Sequence, residues 1–233
     1  MSSSGKLAPG QSSAGAGSRN LCRGDETRSP GRPRDLNLTV RRREEILLLA
    51  GSLFAEHGFQ NTDMQMIADR LGLSKGTIYT YFVSKQEVFS SCVEFGMEKL
   101  SVAVDGRVAQ GKTPLEKIAF AIEAYFEFFE EHPQLLELLI QERAQFSDSS
   151  YFRHQKECIA PWVSLFDALK AQGIFRELSS EAAIDFASNQ VFGTLFANYF
   201  SGRKLSLKSK TDEILDILFR GMMTPETGSK PWK

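Results

Sequence analysis

Between Thr62 and Glu87 the chain reads TDMQMIADRLGLSKGTIYTYFVSKQE, and this stretch limits what the chain can fold into more tightly than any other. Three helix starts follow one another within it. Thr62 and Gln65 have the spacing of a capping box, a hydroxyl followed three residues later by Gln or Glu. Met64, Ile67, Ala68 and Leu71 then recur at i, i+3, i+4 and i+7, one apolar face of a short helix. Gly72 offers the left-handed conformation that ends helices. Ser74 is placed to cap a second helix that would bury Ile78 and Phe82. Ser84 and Glu87 repeat the capping-box spacing and open a third. Two short helices on a tight glycine-containing turn make a helix-turn-helix, spanning about residues 63–82.

The outer face of the second helix is unusual. Lys75, Thr77, Tyr79, Thr80 and Tyr81 all carry hydrogen-bonding groups, and Gly76 would let the backbone approach a partner closely. Hydroxyls, an ammonium and phenols suit phosphate oxygens and base edges in a major groove. The plain alternative is a solvated face with Tyr79 and Tyr81 half-buried.

Further residues carry a resemblance to a known family. They are Phe54-Ala55-Glu56-His57-Gly58-Phe59, Thr62, Ile67-Ala68, Leu71 through Tyr79, and Tyr81-Phe82 followed by Lys85 and Glu87. Across about residues 40–90 the chain resembles the tetracycline-repressor (TetR) family of bacterial transcription factors. The resemblance implies a three-helix DNA-binding domain, a long linking helix and a variable helical domain for ligand binding and dimerisation. Tyr81 stands where many members carry histidine, and its hydroxyl can still donate to phosphate. Asp63 replaces a small hydroxyl residue; an acid there suits the helix dipole but repels phosphate.

Charge is unevenly distributed. Residues 1–43 hold nine Lys or Arg against three Asp or Glu, a net +6, while the remainder carries −7. A basic arm on an acidic body points to a polyanion at one end only. Residues 1–38 are rich in Ser, Gly, Pro and Arg and are expected to be disordered. Within them, Gly31-Arg32-Pro33-Arg34 resembles the core of AT-hook segments, which lay arginines such as Arg32 and Arg34 into a narrow minor groove. A basic soluble linker explains the same residues. Cys22, Cys92 and Cys158 lack C-x-x-C spacing, and His57, His132 and His154 lack metal-ligand spacing, so no metal or cofactor is expected. Reduced thiols, no apolar leader and no membrane-length apolar run imply a cytoplasmic protein, nucleoid-associated when bound to DNA.

The fold class read from this pattern is all-α. A first helix is expected over about Val40–His57, burying Ile46, Leu49, Ala50, Leu53 and Phe54, with Gly58 as its stop. The helix-turn-helix domain would cover 39–90, a regulatory and dimerisation domain 91–222, and a frayed tail 223–233. A linking helix follows from about Lys85 to Val104. Pro114 starts the next helix, and His132-Pro133 separates it from another reaching about Phe146. A helix over about Tyr151–Ala171 should kink or break at Pro161. Ser180 starts a further helix, and Thr211 is expected to cap the last.

Small and large residues alternate along Ala182, Phe186, Gln190, Gly193, Ala197 and Phe200, which suits close helix packing. The resemblance implies that this helix and the last, with Leu218, pack against a two-fold mate. Phe120, Tyr125, Phe129, Phe146, Trp162, Phe166 and Phe196 are candidates to line an apolar cavity, with Glu142 and Arg143 as polar anchors or plain surface charges.

The function expected is therefore a homodimeric, ligand-responsive repressor of operator DNA. Thr62, Tyr79, Tyr81 and Lys85 would hold phosphates; Gln65, Lys75, Thr77 and Thr80 would lie nearest to base edges, with Ser74 and Gly76 completing the face. Its partners would be double-stranded DNA, an unknown small molecule and a second copy of itself. A scaffold with a disused helix-turn-helix is the alternative. A helical enzyme is weaker, because only His132 and His154 with Cys158 bring nucleophile and base types close in sequence.

Overall fold

The computed structural model describes residues 36–146, 150–202 and 207–224. Arg32, Arg34 and Cys22 lie outside the described residues. From Leu36 onward the chain clusters as one compact unit. Ten helices make up its described part: α1 (Leu36–Asn61), α2 (Met64–Leu71), α3 (Lys75–Tyr79), α4 (Lys85–Val108), α5 (Pro114–Glu131), α6 (Pro133–Gln145), α7 (Ser150–Glu157), α8 (Ile159–Ala171), α9 (Ser180–Phe200) and α10 (Leu207–Met222). Among the described residues the only β-type pairing is a bridge between Phe175 and Met223.

The first helix is interrupted where the sequence placed its stop. Gly58 takes φ 81° and ψ 158°, outside helical space, and the last residues before Asn61 form a short continuation beyond that kink. A side chain would strain this conformation, which glycine accepts freely. Gly72 ends α2 in the left-handed region at φ 66°, with its N–H on the carbonyls of Ala68 and Asp69. Ile46, Leu47, Ala50, Leu53 and Phe54 of α1 meet Ile67, Ala68, Ile78, Phe82, Val88 and Phe89 in one buried cluster. Leu49 is only half-buried, because it sits at the edge of that stripe.

The linking helix α4 is one turn longer than the sequence suggested, reaching Val108. It packs against α1, α5 and α6. An added Cβ at Gly96 would press on the Leu135 side chain, which would have to shift to admit it, so α4 and α6 pack closely there. Thr113 and Glu116 form a complete capping box at the start of α5, and Pro114 occupies its first turn.

Several expected boundaries are corrected. The break near Pro161 falls at Cys158, three residues earlier. Proline lacks an N–H and its ring crowds the carbonyl four residues before, here Glu157, so the helix must end ahead of it. Thr211 does not cap α10; it lies one turn inside, buried, and its hydroxyl donates to the Leu207 carbonyl at 3.2 Å. The chain does not become loose at Met223. Arg176 N–H donates to Met222 O at 2.9 Å and Thr224 N–H to Ile174 O at 3.1 Å, tying the end of α10 to the α8–α9 turn.

Candidate nucleic-acid interface and inner cavity

The helix pair α2–α3 is anchored from below and capped at both starts. Ile78 and Phe82 are fully buried beneath it. Ser74 Oγ accepts from Thr77 N–H at 3.1 Å and shares a hydrogen bond with Thr77 Oγ1 at 2.8 Å. Thr80 Oγ1 donates to Thr77 O at 2.6 Å. Above this base, Ser74, Lys75, Gly76, Tyr79 and Thr80 are exposed, as is Gln65, while Thr77 and Tyr81 are half-buried. A Cβ at Gly76 would meet only Ser74 Oγ, at 3.7 Å, so nothing inside the protomer requires glycine there.

Two expected contacts are corrected. Thr62 neither caps α2 nor reaches solvent. It is completely buried, and its hydroxyl donates to Gly58 O at 2.9 Å and Leu53 O at 3.3 Å. A side chain held under the α1 terminus cannot touch phosphate. The cap is Asp63, whose Oδ1 accepts from Gln65 N–H at 2.8 Å and Met66 N–H at 2.9 Å. The Met66 N–H bond, helped by the Gln65 N–H and by the charges of Lys75 and Lys85, holds the Asp63 carboxyl below its ordinary range. Gln65 instead gives its side-chain amide to Asp69 Oδ1 at 2.7 Å. Lys85 is also occupied: its Nζ donates to Phe59 O at 2.8 Å and lies 4.5 Å from the Phe59 ring centre. It closes off the end of α1 instead of standing free for phosphate. Arg43 reaches Ser91 Oγ at 3.2 Å and covers Phe82, whereas Arg41 is exposed.

A cavity of about 480 Å³ lies among α4, α5, α7, α8 and α9. Its walls are mostly apolar, with Leu100 and Val104 from α4, Ile118 and Ile122 from α5, and Val191 from α9. Of the sequence candidates, Tyr125, Trp162 and Phe166 line it. The other four do not, because each is committed elsewhere. Phe120 lies under the Arg107 guanidinium, 4.8 Å away. Phe129 packs on Tyr125 and Phe128 in the core. Phe146 joins Phe59 and Phe89 at centroid distances of 5.3 and 5.7 Å. Phe196 stacks between Phe192 and Phe200 along α9.

The polar edge of the cavity was missed. Ser101 Oγ and His154 Nε2 are 2.8 Å apart, and Cys158 Sγ lies 3.7 Å from the same nitrogen. Asp105 and Glu157 complete this edge. His154 and Cys158 are one helical turn apart, a signal visible in sequence, but Ser101 is 53 residues from His154 and no local pattern joins them. Burial, then the charges of Asp105 and Glu157, push the Cys158 thiol up, so it is a poor nucleophile. Cys92 is pushed up to about 12 by burial. Both cysteines are free thiols.

Glu142 is neither a cavity anchor nor a surface charge. It is buried, and its carboxylate accepts from Ser150 N–H at 2.9 Å and Ser150 Oγ at 2.6 Å, capping α7. Its neighbour Gln141 grips the broken end of α1: its amide donates to Phe54 O at 2.9 Å and its oxygen accepts from Phe59 N–H at 2.9 Å. Arg143 is exposed. One stretch of α6 thereby links the start of α7, the helix that carries His154 and Glu157 to the cavity, with the base of the helix-turn-helix.

The expected dimer face is exposed along α9. Phe186 is 51% exposed and Phe200 67%, with Gln190, Gly193 and Ala197 open between them and Ala182 open one turn before Phe186. Leu218 is the exception: it is 2% exposed and packed within the protomer, and Ile217 is the apolar residue that α10 presents outward.

A capped, exposed reading helix on a complete core, joined to a helical body around an apolar cavity, defines a helix-turn-helix DNA-binding regulator. Residues 46–92 match the family model of bacterial regulatory proteins, tetR family. The chain is 26% identical to the HTH-type transcriptional repressor KstR2 of Mycolicibacterium smegmatis over 81% of its own length and 94% of that protein. It is 23% identical to the fatty acid metabolism regulator of Bacillus subtilis over 76% and 94%. The structure of the ketosteroid transcriptional regulator KstR2 of Mycobacterium tuberculosis aligns with a TM-score of 0.59 and 25% identity, covering 78% of this chain and 95% of that one. The fatty acid degradation regulator FadR of Bacillus halodurans shares the fold at a TM-score of 0.68 over 76% and 94%, with 19% identity. The chain is a TetR-family transcriptional regulator. These relatives are regulators and not enzymes, and no helix among the described residues is long and apolar enough to cross a membrane.

Proposed function

We propose that the chain acts as a homodimeric repressor that leaves its operator when a small apolar molecule fills the inner cavity. The observation that carries the DNA-binding part is an exposed polar face that the core beneath it does not require. Lys75, Gly76, Tyr79 and Thr80 are exposed while the core beneath them is complete. Tyr79 and Tyr81 would hold phosphates, and Lys75, Thr77 and Thr80, with Gln65 beside them, would meet base edges. Repression rather than activation follows the Mycolicibacterium smegmatis relative, which is a repressor. It would act in the cytoplasm, on chromosomal DNA.

The dimer is supported by the exposed apolar face of α9 and by Ile217, since exposed rings such as Phe186 and Phe200 mark association surfaces. Two copies would present two reading heads to half-sites about 34–36 Å apart or a multiple of that. Ligand would favour a head spacing that no longer fits. The coupling would run from the cavity wall in α7, through Glu142 and Gln141 of α6, to the end of α1 at Phe54 and Phe59.

The test is competition binding against a library of operator variants. Tyr79→Ala should weaken all sequences alike, because phosphate contacts position without specifying. Lys75→Ala or Thr77→Ala should change the preference at one base pair by about 1–3 kcal/mol. Equal loss across every site for all three variants would overturn this division of roles.

A further inference from the structure

The charge around the cavity is one-sided. Asp105 and Glu157 both line it, and no Lys or Arg is among the described residues that do. Two arginines on the same helices are turned to other partners, while Lys156, beside Glu157, is exposed and does not line the cavity. Arg107, two residues beyond Asp105, pairs with Glu123 at 3.1 Å and covers Phe120. Arg153, four residues before Glu157, donates to Ser150 Oγ at 3.1 Å. The remaining polar lining is uncharged or weakly basic: Ser101, His154, Cys158 and Ser188.

Two exposed carboxylates at the rim of an apolar space set a negative potential at its mouth, moderated by water and salt. A ligand carboxylate brought there would lose hydration and meet like charge. A ligand cation would gain attraction from both acids and lie near the aromatic rings of Trp162 and Tyr125, which line the same space. The volume suits a drug-sized molecule with one polar end.

Resting on the reading of this cavity as the ligand site, we propose that it selects hydrophobic cations, an apolar body carrying a protonated or quaternary amine, and disfavours free carboxylates. The amine would sit at the Asp105–Glu157 edge near Ser101 and His154, and the body would lie against the α5, α8 and α9 walls.

The experiment uses the full-length protein and three probes with one dodecyl body: dodecyltrimethylammonium, dodecanol and dodecanoate, all below their micelle concentrations. Calorimetric titration should rank them in that order, with the cation at least about tenfold tighter than the carboxylate, a gap of about 1.4 kcal/mol. The gap should narrow in high salt, since both acids reach the exposed rim. Asp105→Asn with Glu157→Gln should weaken the cation and leave dodecanol unchanged; a matched melting temperature checks that the variant is folded. Carboxylate binding as tight as the cation overturns the charge selection but leaves a ligand-responsive repressor standing. Cation binding in the expected order, with no release of operator DNA, upholds the selection and overturns that regulatory reading. No binding by any probe overturns both.

Discussion

Replacing Thr62 with valine separates a structural role from a DNA contact at a position where the two were easily confused. The hydroxyl is fully buried and donates to Gly58 O at 2.9 Å and, less directly, to Leu53 O at 3.3 Å. Valine keeps the branched shape and loses both bonds. The Gly58 carbonyl would still accept from the Thr62 backbone N–H at 3.2 Å, so it is not left bare. The loss should therefore lie near the net worth of one hydrogen bond, about 1 kcal/mol, and below the larger penalty for an orphaned buried group. In a chain of this size that lowers the melting temperature by about 2–4 °C. Thermal unfolding at fixed protein concentration reads this shift, and fluorescence anisotropy with operator DNA reads affinity at a temperature where both proteins are folded. Affinity should change by less than about twofold, under 0.5 kcal/mol. An unchanged melting temperature with a uniform loss of affinity for all DNA would refute the reasoning and return Thr62 to the phosphate backbone.

Phe186→Glu and Leu218→Glu should fail in different ways: the first should yield a folded monomer by sedimentation. The second buries an unpaired charge and should cost on the order of 4 kcal/mol or more, visible as lost helicity in circular dichroism. Gln141→Leu should leave ligand-free operator affinity nearly unchanged while blunting the release caused by ligand; equal release from wild type and variant would remove Gln141 from the coupling route. Deleting residues 1–36 removes Arg32 and Arg34 and should lower affinity more for half-sites flanked by A·T tracts than by G·C. If truncated and full-length proteins rank the flanks alike, the arm is only a solvated basic tail. Gly72→Ala should destabilise the protein by about 1–2 kcal/mol in chemical denaturation, since alanine must take the left-handed turn.

Local chemistry was legible wherever it decided the outcome locally. The capping pair Ser84–Glu87, the helix start at Pro114, the stops at Gly58 and Gly72, the buried pair Ile78 and Phe82, and the open face from Lys75 to Thr80 all follow from residue type and spacing. Each depends on groups within one or two turns of each other. The all-α class follows for the same reason, because apolar residues recur at helical intervals throughout.

Contacts between distant segments were decided only in three dimensions. Spacing pointed to Thr62 as the cap, but the Gly58 and Leu53 carbonyls hold Thr62 inward and leave the cap to Asp63. Seven aromatic residues looked alike as cavity linings, yet only Tyr125, Trp162 and Phe166 face the space. The direction of a ring depends on which neighbour fills the volume beside it, and close packing makes that a property of several helices together. The same holds for Leu218 and Ile217, adjacent in sequence and opposite in exposure, and for Ser101, His154 and Asp105, whose meeting depends on how α4 crosses α7. Periodicity tells which face of a helix is apolar; only the packed structure tells what that face meets.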